Sequence, residues 1–183
     1  DALDVGDGDF AASIEATRQT LASAAEVVIE DATLDGNQLE VQVRVINKTG
    51  HKLPTGFPSR RAFIHFTVSD DDDILFESGH PNEDGSIVGV DGDSGLEVAF
   101  EPHHQVIETE DQVQVYEPIM YTHEGEQTYT LLRAQYYGKD NRIPPKGFDK
   151  NDPKLPDQIA VKGLAAADGD FNDGSELVTY RVS

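Results

Sequence analysis

Leu39, Val41, Val43 and Val45 alternate with Glu40, Gln42 and Arg44, the period of a strand with one face buried. The same reasoning predicts a strand over 62–69, carrying Phe63, Ile64, Phe66 and Val68, and a short one at Ile74-Leu75-Phe76. The acidic turn Asp70-Asp71-Asp72-Asp73 between them makes the two a hairpin. Longer strands are predicted over 112–121, where Val113 and Val115 alternate with Gln112, Gln114 and Tyr116, and over 128–137. A closing strand follows at Leu177 to Val182. Short strands are expected at Val27 to Asp31, Ile87 to Val90, Glu97 to Phe100, Val106-Ile107 and Ile159 to Val161. Only one stretch has helical spacing: Phe10, Ile14, Thr17 and Leu21, with Ala11, Ala12, Ala22, Ala24 and Ala25 as good helix formers, predict a helix over 9–25 capped by Asp9 or Ser13.

Gly, Pro and Asn punctuate the rest. Asp35-Gly36-Asn37 and Gly125 mark turns, and the stretches 47–61, 78–104 and 138–156 are too rich in turn formers for regular structure. Many short strands with such connections predict a mostly β chain: an antiparallel, Ig-like β-sandwich with long irregular loops and one N-terminal helix. The division expected is an acidic lead and helix over 1–30 and a β-sandwich domain over 31–183. There is no internal repeat and no low-complexity tract.

Charge narrows the partners. Asp and Glu number 35 against 14 Lys and Arg, a net charge of -21, which repels nucleic acid and anionic membrane surfaces. No apolar run approaches the ~20 residues of a membrane-spanning helix. The absence of cysteine removes disulfides, thiolate metal sites, iron–sulfur clusters, thiol catalysis and covalent c-type haem on this chain. No signal peptide is visible before the acidic, Gly-rich opening, so a processed product or an excised domain is expected.

Three sets of residues are candidates for chemistry. Asp168, Asp170, Asn172 and Glu176 place oxygen ligands at alternating positions of an acidic loop, as a calcium loop does, although the glycine falls one place late for an EF-hand. Asp91 and Asp93, with Glu97, form a second calcium candidate. His51, His103 and His123 are the candidate set for copper or zinc, since imidazole suits both. His65, by contrast, falls in a strand and reads as a packing or hydrogen-bonding residue. No paired-histidine helix motif, nucleophile elbow or phosphate loop is present. His51, Arg60, Arg61 and Arg142 are candidates for structural or interaction roles, the guanidinium forks pinning loops to carboxylates or meeting an anionic partner. Asn47-Lys48-Thr49 matches a glycosylation acceptor.

The loop 47–62, NKTGHKLPTGFPSRRA, resembles the signature of a β-rich domain found beyond the haem region of exported multihaem c-type cytochromes. Further segments are similar in the same order: FESG at 76–79, EPHH at 101–104, DQVQVYE at 111–117, KDNRIPPKGF at 139–148 and DGDF at 168–171. The resemblance spans about 38–182. It implies a periplasmic or extracellular setting, electron transfer, and a non-haem module that docks on or helps assemble a multihaem cytochrome or another redox partner. The helix would be the join to the haem-bearing part. No catalytic residues are implied. The alternatives are a carbohydrate- or surface-binding module, for which the lack of tryptophan removes the best stacking residue, and a copper or zinc protein using His51, His103 and His123.

Overall fold

The structure, a computed structural model, describes residues 10–90 and 100–183. The acidic lead, Asp91, Asp93 and most of the strand expected over 97–100 lie outside them. Among the described residues the chain is mostly β, with one N-terminal α-helix, and its several sheets close into no barrel. In order the elements are α1 (Phe10–Ala22), β1 (Ala25–Asp35), β2 (Gln38–Asn47), β3 (Ala62–Phe63), β4 (Phe66–Asp70) and β5 (Asp73–Ser78). Then come β6 (Val106–Ile107), β7 (Val115–Tyr116), β8 (Pro118–Tyr121), β9 (Gln127–Thr128), β10 (Tyr136–Asp140) and β11 (Ser175–Val182).

The main sheet runs β1-β2-β11-β6. Its pairs are antiparallel except the last, where Val106 and Ile107 run parallel to Thr179 and Tyr180. Against it lie the sheet β10-β8-β9 and the pairs β3-β7 and β4-β5, a sandwich-like arrangement. Val41, Val43 and Val45 of β2 and Val178 and Tyr180 of β11 supply one wall of the core. Ile64, Phe76, Tyr116, Ile143 and Phe171 supply the other. Phe66 stacks on Tyr180 with ring centroids 3.9 Å apart. The period-two pattern of residues 39–46 thus does what it predicts: every second side chain of β2 enters the core.

The differences have local causes. β1 is longer than expected because a bulge between Ile29 and Asp31 resets the alternation, so that Val27, Ile29, Ala32 and Leu34 pair with Val45, Val43, Val41 and Leu39 on one face. The strand includes position 30, the bulged residue, within Ala25–Asp35. The strand expected over 112–121 is two strands in different sheets, parted at Glu117. The one expected over 128–137 is replaced by a turn, in which the Arg133 and Ala134 amides both donate to Thr130 O, between β9 and β10. Ile159 to Val161 begins as one turn of 3₁₀ helix over Asp157–Ile159 instead of a strand.

Candidate functional site

The motif segments that carry the resemblance converge in space on buried polar side chains. Lys139 is 3% exposed, and its ammonium donates to Glu101 O at 2.7 Å, Glu117 Oε1 at 3.0 Å and Val115 O at 3.2 Å. Burial pulls its pKa down, against the pull of the Glu117 and Glu101 carboxylates. Asp140, wholly buried, receives Arg142 through two bonds of 2.8 Å and the Lys52 ammonium at 2.7 Å. Asn47 donates through Nδ2 to His51 O, Ile143 O and Pro144 O, while its Oδ1 accepts from the amide and hydroxyl of Thr49. Its side-chain nitrogen is therefore committed to the interior and presents no acceptor for a glycan. The loop 47–61 is stitched to the strand bridge at Leu53 and Ile143 by these residues.

The most distinctive constellation is His103, Asp168 and Glu176, whose ligand atoms lie within 4.8 Å of one another. His103 Nε2 stands 2.9 Å from Asp168 Oδ2 and 3.2 Å from Glu176 Oε1, and all three side chains are at most 1% exposed. Burial pushes the Glu176 carboxyl well up, the nearby Tyr116 hydroxyl opposes it, and the charges of Asp168 and Asp170 add to it. For Asp168, burial also pushes up, but the His103 ring and the Asp170 amide outweigh it and the net direction is down. Glu176 Oε2 and the Tyr116 and Tyr180 hydroxyls have no partner in hydrogen-bonding geometry.

The opposite nitrogen of His103 decides what this cluster can be. Nδ1 is met by Gln114 Nε2 at 2.9 Å and Asn141 Nδ2 at 3.2 Å. Both amides are fixed in orientation, because Gln114 Oε1 accepts the His104 amide and Asn141 Oδ1 accepts the Glu117 amide. Two donors therefore point at Nδ1, which must be the acceptor, and the hydrogen belongs on Nε2, facing Asp168 and Glu176. A metal-bound imidazole has the reverse arrangement, a lone pair toward the metal and a donor outward. The cluster fits a hydrogen-bonded polar core better than a cation site.

The remaining candidates are dispersed. His51 is exposed and meets Thr49 Oγ1 and Lys52 O, and His123, 74% exposed by side chain, lies 3.8 Å from Glu124. Neither shares the group that holds His103. His104 turns away from its neighbour to Glu101 at 2.9 Å. In the acidic loop, Asp170 Oδ1 accepts the Leu177 amide and Asn172 Oδ1 accepts the Lys150 amide from the neighbouring loop, so these oxygens hold backbone while Asp168 and Glu176 face His103. Arg60 folds over Gly56 and reaches Thr55 O, Arg61 is half-buried, and Arg142 forks onto Asp140.

Two surface features were not among the candidates read from the sequence. His65, Glu77 and His80 converge on the β4–β5 hairpin. And the core-side row of β1 is uncovered: Val27, Ile29 and Leu34 are 62%, 64% and 68% exposed, although their partners on β2 are core residues. A groove of about 210 Å³ beside Val27 is lined by Val45, Leu53, Phe63 and Tyr116. No residue of α1 is buried, and Phe10, Ile14 and Leu21 are all more than half exposed. No described helix is long and apolar enough to cross a membrane. The chain matches no protein-family model, no curated protein and no solved structure.

Proposed function

We propose that this chain is a non-catalytic β module that docks on an exported multihaem c-type cytochrome through α1 and the open face of β1. The observation that carries the reading is the uncovered row Val27, Ile29 and Leu34, continuous with the core and preceded in the chain by a helix whose own apolar side chains face water. Monomeric domains rarely leave so continuous an apolar strip exposed without a partner. The ordered motifs support the choice of partner. The convergence of those motifs on buried hydrogen bonds, with His103, Asp168 and Glu176 closed to substrate, supports a supporting role over catalysis. A net charge of -21 favours a partner whose apolar patch has a basic rim.

The test is sedimentation velocity read at the haem Soret band, with a purified exported multihaem cytochrome from the same organism. The cytochrome sediments faster with this chain present, and Val27→Asp with Ile29→Asp abolishes the shift. An unchanged sedimentation rate with the wild type refutes the reading. A second reading, carbohydrate recognition, has one observation in its favour: Tyr121 and Tyr136 stack 5.6 Å apart beside a cleft of about 240 Å³ that Tyr136, Tyr137 and Asp157 line. Retardation in polysaccharide-containing native gels, lost in Tyr136→Ala, tests it.

A further inference from the structure

We propose that His65, Glu77 and His80 form an open binding site for a divalent transition ion, with Zn²⁺ as the type case. Three elements of local structure build it. His65 directly precedes β4, Glu77 lies in β5, and the hairpin register that pairs Thr67 with Glu77 puts the two on neighbouring strands. Gly79 then reverses the chain with φ of +76°, returning His80 to Glu77. A side chain at Gly79 would strike Ile64 O at 2.5 Å, so the reversal is locked by the backbone beneath it. The Glu77 amide is itself held by Glu110 Oε1 at 3.0 Å, which fixes the strand and adds negative charge nearby.

His65 Nε2 lies 2.7 Å and His80 Nδ1 2.9 Å from the same oxygen, Glu77 Oε1. The rings meet edge to face at 89° with centroids 5.7 Å apart, so their nitrogens point at one place from different directions. A tetrahedral zinc with bonds of about 2.0–2.1 Å separates its ligand atoms by about 3.3 Å. The two nitrogen–oxygen distances need to open by about half an ångström, and at 40% and 49% exposed the two imidazoles are free to turn onto a shared ion. Two imidazoles and one carboxylate suit Zn²⁺ or Cu²⁺ and disfavour Ca²⁺, which takes oxygen ligands.

The contrast with His103 is the deciding argument. There the second ring nitrogen is pinned by two donors. Among the described residues, neither His65 Nδ1 nor His80 Nε2 has a protein partner, so each is free to hold the hydrogen toward water while the converging nitrogen offers its lone pair. The fourth position faces solvent and is open to water or to a ligand atom from outside the chain.

The experiment is calorimetric titration of the chelator-treated full chain with Zn²⁺, together with Co²⁺ absorption as a report on tetrahedral ligands. One Zn²⁺ per chain is expected, at least tenfold weaker in His65→Ala and in His80→Ala and unchanged in His51→Ala and His123→Ala. Binding that is absent from the wild type, or equal in the His65 and His80 variants, overturns the proposal. On the wild type alone, trace Cu²⁺ should broaden the ring resonances of His65 and His80 before those of His51 and His123. The reverse order contradicts the site.

Discussion

Replacing Glu176 by Gln should stabilise the protein at neutral pH, and increasingly so as the pH rises. Glu176 is wholly buried, with Oε1 accepting from Gln114 Nε2 at 2.8 Å and facing His103 Nε2. The charged groups around it are Asp168 and Asp170, which repel its ionised form, and the Lys139 ammonium, which favours it, while the hydroxyls of Tyr116 and Tyr180 lie beside it. Burial, the largest effect, raises its pKa well above 4.5. The folded chain therefore holds a proton that the unfolded chain releases once the pH passes about 4.5. Its contribution to stability is fully present below that pH and declines as pH rises toward the folded value. The slope is about 1.4 kcal/mol per pH unit. Above about pH 4.5 the wild type thus loses stability through this residue for as long as the folded carboxyl keeps its proton. Asp168 acts in the opposite direction, but its contribution is lost only on going below its ordinary value of 3.8, outside this window.

Gln keeps the acceptor for Gln114 and His103 and presents an NH₂ toward the two tyrosine hydroxyls that lack partners. It carries no proton to lose. Urea denaturation of both proteins at pH 5, 6 and 7 reads the difference. The stability gap, variant minus wild type, should widen by about 1.4 kcal/mol per unit until the folded wild type ionises. A gap that stays constant with pH refutes a neutral Glu176. A loss of about 3–5 kcal/mol at every pH would mark the carboxylate as a buried ionic partner instead.

Other consequences are independent of this one. Asp140→Ala strands the Lys52 ammonium and the Arg142 guanidinium, and should cost about 3–5 kcal/mol by chemical denaturation. Gly79→Ala combines a φ of +76° with a contact of 2.5 Å to Ile64 O, and its melting temperature should fall by several degrees, by calorimetry. Because Asp170 Oδ1 and Asn172 Oδ1 are engaged by the Leu177 and Lys150 amides, adding Ca²⁺ after chelation should leave the melting temperature unchanged. A rise of several degrees would mean the acidic loops bind calcium.

Much of the sheet was legible because burial on one face leaves a period of two, as in residues 39–46. Legibility failed where the period is reset or interrupted by contacts distant in sequence. β1 looked short because the bulge after Ile29 shifts Ala32 and Leu34 back into phase with Val27. The break between β7 and β8 is where Glu117 turns to the Lys139 ammonium, 22 residues away in sequence. The acidic loop announced oxygen ligands, but not that Asp168 and Glu176 would meet a histidine 65 residues before Asp168. Nor does any local pattern tell which hydrogen His103 carries, since that depends on Gln114 and Asn141. The His65, Glu77 and His80 group was within reach: the hairpin around the four aspartates already places residue 65 near residue 77. Arg142 on Asp140 has the fork geometry that its residue type suggests, and Arg60 reaches Thr55 O of its own loop.

The exposed row of β1 could be found only from the structure, since its alternation reads the same whether a partner strand, a second layer or another protein covers it. Amide hydrogen exchange of this chain, alone and mixed with the purified multihaem cytochrome, tests that surface most directly. The account predicts slower exchange confined to α1 and β1, with the β4–β5 hairpin unchanged. Equal exchange at β1 with and without the cytochrome, or protection on the β4–β5 hairpin in its place, would contradict it.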